Sequence, residues 1–278
     1  KRKDGLTRLI KKSRKSYFKT INLDYVMFEK KKDLIKHYSL LFSLFRTRYK
    51  LIIMTVFSIL VFSILVGGLP IITQKIAKAV SPELPSDKVL YSCRGQGGDF
   101  QLNPVLKELH KNRYLPLATV LIGVVEYEEA PRVILTRRSE NLKKHSGQVA
   151  FPGGKVDDTD PSPLDAVLRE TEEEIGLTSG YIDIAGYLQT FETGSGFMVL
   201  PVVGYVRPGF ELKINTEEVA DVFEVPLNFL MNRENHNIKQ DVWNGQLRSY
   251  YSMSHGQHHI WGVTAGILRN LSERAFDD

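Results

Sequence analysis

Apolar residues in the second half of the chain form four β-rich runs and one helical stripe. Two runs precede a central polar segment and two follow it: 117–127, 132–137, 182–191 and 198–208. Their β-branched residues predict strands. Near the end of the chain, Val263, Ile267, Leu268 and Leu271 recur at helical spacing and predict a helix. The pattern therefore indicates an α/β domain.

The central segment contains an amphipathic helix, which we predict over residues 162–175. Its apolar stripe recurs at three- and four-residue spacing. The stripe consists of Leu164, Val167, Leu168, Thr171 and Ile175. Either Asp160 or Ser162, each followed by a proline, can start the helix. Gly176 can end it, because glycine adopts the left-handed conformation without strain.

The N-terminal part of the chain differs in composition. Residues 1–50 carry 16 Lys and Arg against 4 Asp and Glu, a net charge of +12 in a chain of +5. Residues 51–74 contain no charged residue and could cross about 30 Å of hydrocarbon as a helix. We predict a basic segment (1–50), a single transmembrane helix (51–74), a linker (75–90) and a globular domain (91–278). A buried core helix or a membrane-surface or re-entrant element is the alternative for the apolar run.

The candidate chemistry lies on the central helix. Glu170, Glu173 and Glu174 stand at i, i+3 and i+4, so their carboxylates share one face, where repulsion is unfavourable without a cation. Mg²⁺ or Mn²⁺ is the expected cofactor, because hard ions take oxygen ligands and are shared with substrate phosphates. Gly153 and Gly154 allow a close backbone approach. A solvated acidic face is the alternative for the glutamates alone.

This arrangement resembles the Nudix box of a hydrolase superfamily that cleaves nucleoside diphosphates linked to another moiety. The match is the sequence RETEEEIGL, from Arg169 to Leu177. Asp160 replaces the superfamily's usual glutamate, and the stretch before Arg169 is one residue longer than the general pattern. The resemblance covers roughly residues 115–275. It implies an α/β/α sandwich with a mixed sheet, preceded here by the predicted transmembrane helix.

A second motif is similar to the signature of the coenzyme A pyrophosphatase branch of this superfamily. It is the sequence ILTRRSENLKKHSGQVAFPGG, residues 134–154. Lys143 stands where the branch usually has arginine, and lysine lacks the planar fork that binds phosphate with two hydrogen bonds. The resemblance implies substrate contacts from Arg138, Lys143, Gly153 and Gly154. A basic, exposed strand end is the alternative for this run.

The resemblance also implies the roles of the acidic residues. The implied metal ligands are Asp160, Glu170, Glu173 and Glu174. The implied catalytic residues are Arg169, Glu173, Glu174 and Glu218. Arg169 would orient the glutamates, and Glu218 would lie near the metals or serve as the base; exposed strand-edge charge is the alternative for Glu218. With coenzyme A as substrate, the expected products are 3′,5′-ADP and 4′-phosphopantetheine.

Several functional alternatives stay open on the sequence. ADP-ribose, dinucleoside polyphosphates and nucleotide sugars are other candidate substrates, and a membrane-anchored nucleotide sensor without catalysis is a rival. The basic segment 1–50 could tether the chain to anionic lipid or nucleic acid, although nucleic acid is not the expected partner. His255, His258 and His259 could touch phosphate or adenine, but their spacing makes no convincing zinc site.

With the predicted span, we expect a single-pass membrane protein, and the sequence leaves open on which side of the membrane the catalytic domain lies. Positive charge before residues 51–74 would place the catalytic domain across the membrane from the cytoplasm, where coenzyme A is found. Cys93 is the only cysteine, so no intrachain disulfide can form. The sequence does not indicate an oligomeric state.

Overall fold

Two parallel strands form the centre of the main sheet. β1 (Leu117–Val125) pairs with β7 (Met198–Val206) over nine residue pairs, and antiparallel strands extend the sheet on both sides. The structure is a computed structural model that describes residues 73–86, 97–110, 113–142, 144–243 and 245–276. Within them, the main sheet is mixed and has eight strands, which confirms the predicted α/β fold with a mixed sheet.

The helices and strands follow one another along the chain with these bounds. The α-helices after residue 97 are α1 (Val105–His110), α2 (Pro163–Ile175), α3 (Leu227–Met231) and α4 (Val263–Phe276). The other strands of the main sheet are β2 (Arg132–Arg138), β3 (Val149–Ala150), β4 (Gly153–Lys155), β5 (Ile182–Tyr187), β6 (Phe191–Glu192) and β8 (Val219–Pro226). A separate antiparallel sheet contains β9 (Asn237–Trp243), β10 (Gln246–His255) and β11 (His258–Trp261).

The main sheet is buried on both faces. In β1, Leu121 and Val125 pack in one cluster with Val167 of α2, whereas Ile122 and Val124 pack in another with residues of α4. Because successive side chains of a strand point to opposite faces, this alternation places α2 and α4 on opposite sides of the sheet. The domain is therefore an α/β/α sandwich.

The central helix begins and ends where its capping residues predict. Ser162 is the N-cap, and its Oγ accepts a hydrogen bond from the Asp165 amide at 3.2 Å. Gly176 ends the helix with φ of 72°, and its amide donates to the Glu172 carbonyl at 2.9 Å. Of the two candidate N-cap residues, Ser162 caps the helix, whereas Asp160 accepts a hydrogen bond from Arg169. These caps place the acidic face of α2 beside β4.

The transmembrane prediction requires correction. Across the described ranges, no helix combines the length and the apolar composition needed to cross a bilayer. This finding contradicts the predicted transmembrane helix and the single-pass membrane localisation. Residues 51–72 of that span lie outside the described residues, as does all of the basic segment 1–50.

The last two residues of the predicted span and the start of the predicted linker belong to the folded domain. Residues 73–79 are helical, and Ile76 is completely buried in the core on the α4 side of the sheet. The hydroxyl of Tyr205 in β7 donates to the Thr73 carbonyl at 2.8 Å. Ile76 belongs to the predicted linker, so the start of that segment packs into the domain core. The bounds of the basic segment, the linker and the globular domain stay predictions.

Gly176 offers a stability test of the helix end. A Cβ added there would lie 2.7 Å from the Lys213 amide nitrogen, whereas one added at Gly209 would meet nothing within 4 Å. Both glycines have positive φ, 72° and 95°. We expect Gly176→Ala to lower the free energy of unfolding in urea by about 1 kcal/mol more than Gly209→Ala, since only the former adds a steric clash to backbone strain. Equal losses would contradict this account.

His236 offers a pH test of the packing around α3. Its Nε2 lies 2.7 Å from the Leu230 carbonyl, an acceptor only, so Nε2 carries the proton and the buried Nδ1 has no partner among the described residues. Burial lowers the pKa of His236 below its ordinary 6.5. The unfolded chain therefore binds more protons as the pH falls through 6.5, and stability is lost there.

We expect the wild type to lose more thermal stability than His236→Gln between about pH 8 and about pH 5.5, because glutamine can keep the donor but cannot titrate. The measurement is the difference in Tm between the two proteins at each pH. Taking this difference cancels the pH dependence of other groups. Parallel Tm profiles would show that His236 titrates normally in the folded state.

Candidate metal and phosphate site

Three carboxylates converge at the end of α2. Glu170 and Glu174 stand one turn apart on the helix, and Glu218 approaches from the loop that leads into β8. One oxygen from each lies within 4.8 Å of the others. The approach of Glu218 follows from strand pairing, because Arg138 at the end of β2 pairs with Val219.

Glu174 is the buried member of this group, with 3% of its surface exposed. The Gly153 amide donates to its Oε2 at 3.1 Å, and Nη1 of Arg138 lies 3.9 Å from its Oε1. Burial raises the pKa of Glu174 to about 7, although the Gly153 hydrogen bond and Arg138 oppose the shift. Glu170 and Glu218 add repulsion. The negative charge is therefore only partly compensated by the protein.

The glycine turn, which is the bend at Pro152 followed by Gly153 and Gly154 at the start of β4, allows the backbone to approach the carboxylates. Gly153 has φ of 140°, and a Cβ there would lie 2.3 Å from the Thr119 carbonyl oxygen on β1. A Cβ on Gly154 would lie 2.5 Å from the carboxyl carbon of Glu170. Any larger residue would thus separate β4 from β1 or displace Glu170. The two glycines hold backbone amides beside the acidic face of α2.

Arg169 orders the acidic residues around the cluster. Its Nε and Nη2 donate to the two oxygens of Asp160 at 2.8 and 3.0 Å, while Nη1 donates to Glu173 at 2.8 Å. Nη1 also lies 3.1 Å from Oε1 of Glu170. These hydrogen bonds lower the pKa of Asp160, and the acidic neighbours raise the pKa of Arg169. Burial raises the pKa of Glu170, but Arg169 partly offsets the effect.

The structure brings together some of the predicted metal ligands and separates others. Glu170 and Glu174 meet in the cluster, and Glu218, predicted as a ligand or base, joins them. Glu173 is exposed and bound by Arg169, and both oxygens of Asp160 also accept from Arg169. Glu173 and Asp160 are thus placed to support the cluster through Arg169. The full ligand set stays a prediction.

Asn215 is a positioning residue that the sequence analysis missed. Its amide donates to the Glu174 carbonyl at 2.9 Å, and its Nδ2 lies 3.4 Å from Oε1 of Glu218. Its Oδ1 accepts from the Glu217 amide at 3.2 Å, which forms a local Asx turn. The Asn-Thr-Glu-Glu sequence was the available signal, because asparagine commonly accepts from the backbone two residues on.

The predicted substrate contacts lie around the same turn. Arg138 reaches towards Glu174, and its buried Nε has no hydrogen-bond partner among the described residues. Gly153 and Gly154 line the approach as described above. Lys143 lies outside the described residues.

The donor set fits a hard divalent cation. Oxygen ligands lie about 2.1 Å from Mg²⁺, so opposite ligands are about 4.2 Å apart. The oxygens of Glu170, Glu174 and Glu218 lie within 4.8 Å of one another, so they would move closer together on binding one ion. A cation would also supply the charge compensation that the buried Glu174 lacks.

Comparison with known proteins identifies the family. Residues 117–243 match the model of the NUDIX domain. NudL of Photorhabdus laumondii, described as an uncharacterized Nudix hydrolase, is 37% identical over 174 residues, which cover 63% of this chain and 91% of NudL. NudL of Escherichia coli K12 is 39% identical over 155 residues, covering 56% of this chain and 80% of the relative.

A solved structure, the MutT protein from Methanosarcina mazei Go1, is 28% identical and covers 43% of this chain and 83% of its own, with a TM-score of 0.35. The family match includes the strands β1 to β9 and the whole of the carboxylate cluster. Together with the extent and identity of the match to NudL, it shows that this chain belongs to the Nudix hydrolases.

Proposed function

We propose that the protein hydrolyses the pyrophosphate bond of coenzyme A, with Mg²⁺ or Mn²⁺ as cofactor. Nudix hydrolases act on nucleoside diphosphates linked to another moiety, and membership of this family makes the chain a pyrophosphohydrolase of that class. The observation that carries the proposal is the convergence of Glu170, Glu174 and Glu218 beside the Gly153–Gly154 turn.

The cluster is the proposed cation site. Glu170, Glu174 and Glu218 would hold the ion through carboxylate oxygens, and Glu173 and Asp160 would act on them through Arg169. When bound, such an ion neutralises pyrophosphate oxygens and lowers the pKa of a bound water.

The chain's own groups then position the substrate and move the proton. The turn at Gly153 and Gly154 brings backbone to the acidic face without a side chain in the way. Arg138, whose side chain is 28% exposed and lies beside Glu174, supplies donors for a phosphate oxygen. Glu218 is accessible to solvent, so its carboxylate can accept a proton from the attacking water.

Coenzyme A is favoured among pyrophosphates by the signature in residues 134–154. In the described part of this segment, Arg138 lies 3.9 Å from Glu174, and the segment ends at Gly153 and Gly154. It therefore borders the carboxylate cluster. Hydrolysis would give 3′,5′-ADP and 4′-phosphopantetheine. ADP-ribose and other nucleotide pyrophosphates are the alternative substrates.

Substitution of Glu174 tests the cation site. We expect Glu174→Gln to lower kcat by about 100-fold or more, because a neutral amide binds a divalent cation more weakly than a carboxylate and does not compensate its charge. The matched control is Glu172→Gln, which makes the same change on an exposed position of α2. The measurement is Mg²⁺-dependent hydrolysis, with circular dichroism to confirm the fold. Full activity of Glu174→Gln would reject the proposed site.

Glu218 can be tested as base or ligand in the same assay. We expect Glu218→Gln to lower kcat about 100-fold. Titration with Mn²⁺ separates the roles, since loss of a ligand weakens Mn²⁺ binding and loss of a base does not. Unchanged kcat would leave Glu218 outside the mechanism.

Product identification tests the substrate. We expect the protein, incubated with Mg²⁺ or Mn²⁺, to release 3′,5′-ADP from coenzyme A faster than it releases nucleotides from ADP-ribose or dinucleoside polyphosphates. Chromatography with mass detection identifies the products. Preference for another pyrophosphate would replace coenzyme A as the substrate, and absence of turnover on all of them would favour a nucleotide-binding module.

A further inference from the structure

An aromatic cluster covers one face of the small sheet. It consists of Trp243, Tyr250, His259 and Trp261. The rings of Trp243 and Trp261 stack with centroids 5.9 Å apart and planes 15° apart, and each lies 5.3 Å from the ring of Tyr250. His259 stacks on Trp261 with centroids 6.4 Å apart. The cluster is partly open to solvent, and Trp243 is 36% exposed.

Strand register explains why these rings share a face. Trp243 pairs with Gln246 and Trp261 pairs with Ser252, so both tryptophans lie on the face of the even-numbered residues of β10, including Tyr250. The opposite face carries Met253, which is buried in the domain core. The cluster therefore faces away from the core.

A cavity of about 410 Å³ joins this cluster to the end of β2. Its lining includes Arg137, Asp221, His258, His259 and Trp261. The volume lies within the usual range of small-molecule sites, about 300–1,000 Å³. The lining also combines what a nucleotide requires: an aromatic surface, cationic and neutral donors, and a carboxylate acceptor.

The cavity and the carboxylate cluster both lie at the end of β2. Arg137 is the immediate neighbour of Arg138, which reaches Glu174, and the register of β2 with β8 shifts between these two residues. The Gly147 amide, in the cavity wall, donates to the Arg138 carbonyl at 3.2 Å. A ligand that extends around this strand end can therefore reach both places.

We propose that the cavity and the aromatic cluster bind the purine base and the sugar phosphate of the substrate nucleotide. The base would stack on Trp261, as bases commonly do on aromatic side chains in proteins. Arg137, whose partner Glu140 is exposed and 3.6 Å away, would attract the phosphate, and Asp221 would accept from an amino group of the base. This assignment rests on the proposed function, because it assumes a nucleotide substrate.

The fixed orientation and the lowered pKa of His259 favour stacking of its ring beside Trp261. Its Nε2 lies 2.7 Å from Oγ of Ser252, which fixes the ring beside Trp261. Burial, reinforced by Lys239, lowers the pKa of His259, so its ring is neutral at pH 7. A neutral planar ring extends the stacking surface of Trp261.

Tryptophan fluorescence reports directly on this surface. The chain contains two tryptophans, and both belong to the aromatic cluster. We expect 3′,5′-ADP, added to the full chain without metal, to quench the emission saturably, whereas ribose 5-phosphate, which lacks a base, does not. Trp243→Phe should retain the quench and Trp261→Phe should lose most of it, because Trp261 lines the cavity.

Kinetics test whether the surface serves the substrate. We expect Trp261→Leu to raise the KM for coenzyme A about tenfold with kcat nearly unchanged, since stacking holds the base without touching the reacting bond. The control is Leu247→Ala on the other face of the small sheet, where Leu247 pairs with Val242 and is 63% exposed. This control should match the wild type.

The outcomes separate the base site from the catalytic function. Saturable quenching by 3′,5′-ADP without turnover of any pyrophosphate would support the base site and reject hydrolysis. Turnover with no quenching, or with an unchanged KM in Trp261→Leu, would overturn the base site and leave hydrolysis intact. Equal quenching by ribose 5-phosphate would also overturn it, because a base would not be required.

Discussion

The hydrogen bond from the Gly153 amide to Glu174 is the contact on which the arrangement of the site depends. It joins the end of the central helix to β4 and keeps a carboxylate almost fully buried at 3.1 Å from the backbone. Burying an ionised carboxylate is costly unless donors or a cation compensate it. One amide and Arg138 at 3.9 Å supply part of that compensation. The site therefore requires Gly153 and an arrangement of carboxylates around Glu174 that can bind a cation.

Glycine is required in this turn for two different reasons. At Gly153 the backbone takes φ of 140°, and a Cβ added there would lie 2.3 Å from the carbonyl oxygen of Thr119 in β1. At Gly154 the missing side chain leaves room for Glu170. Nη1 of Arg169 then lies 3.1 Å from Glu170, while Nε and Nη2 donate hydrogen bonds to Asp160. The shorter side chain of aspartate, in place of the usual glutamate, still reaches the guanidinium with both oxygens.

The sequence predicts those parts of the molecule that local physics determines. The helix over 163–175 was predictable within one residue, because its apolar stripe, Ser162 cap and Gly176 stop agree. The small sheet was not, since every residue of β9 is exposed and shows no alternation. The place of Glu218 depends on the pairing of β2 with β8, a contact between residues some eighty positions apart. The transmembrane prediction was wrong, because no helix among the described residues is long and apolar enough to cross a membrane; residues 51–72 of the predicted span lie outside them.

The proposed base site extends beyond the part of the chain that holds the proposed chemistry. The carboxylate cluster lies inside residues 117–243, which match the family model, whereas Tyr250, His259 and Trp261 lie after them. Phosphate and metal contacts are common to any pyrophosphate, so they cannot distinguish one substrate from another. Discrimination needs contacts to the parts that differ between substrates. A sheet whose last two strands follow the matched residues, next to the end of β2, can change such contacts without disturbing Glu174 and its glycine turn.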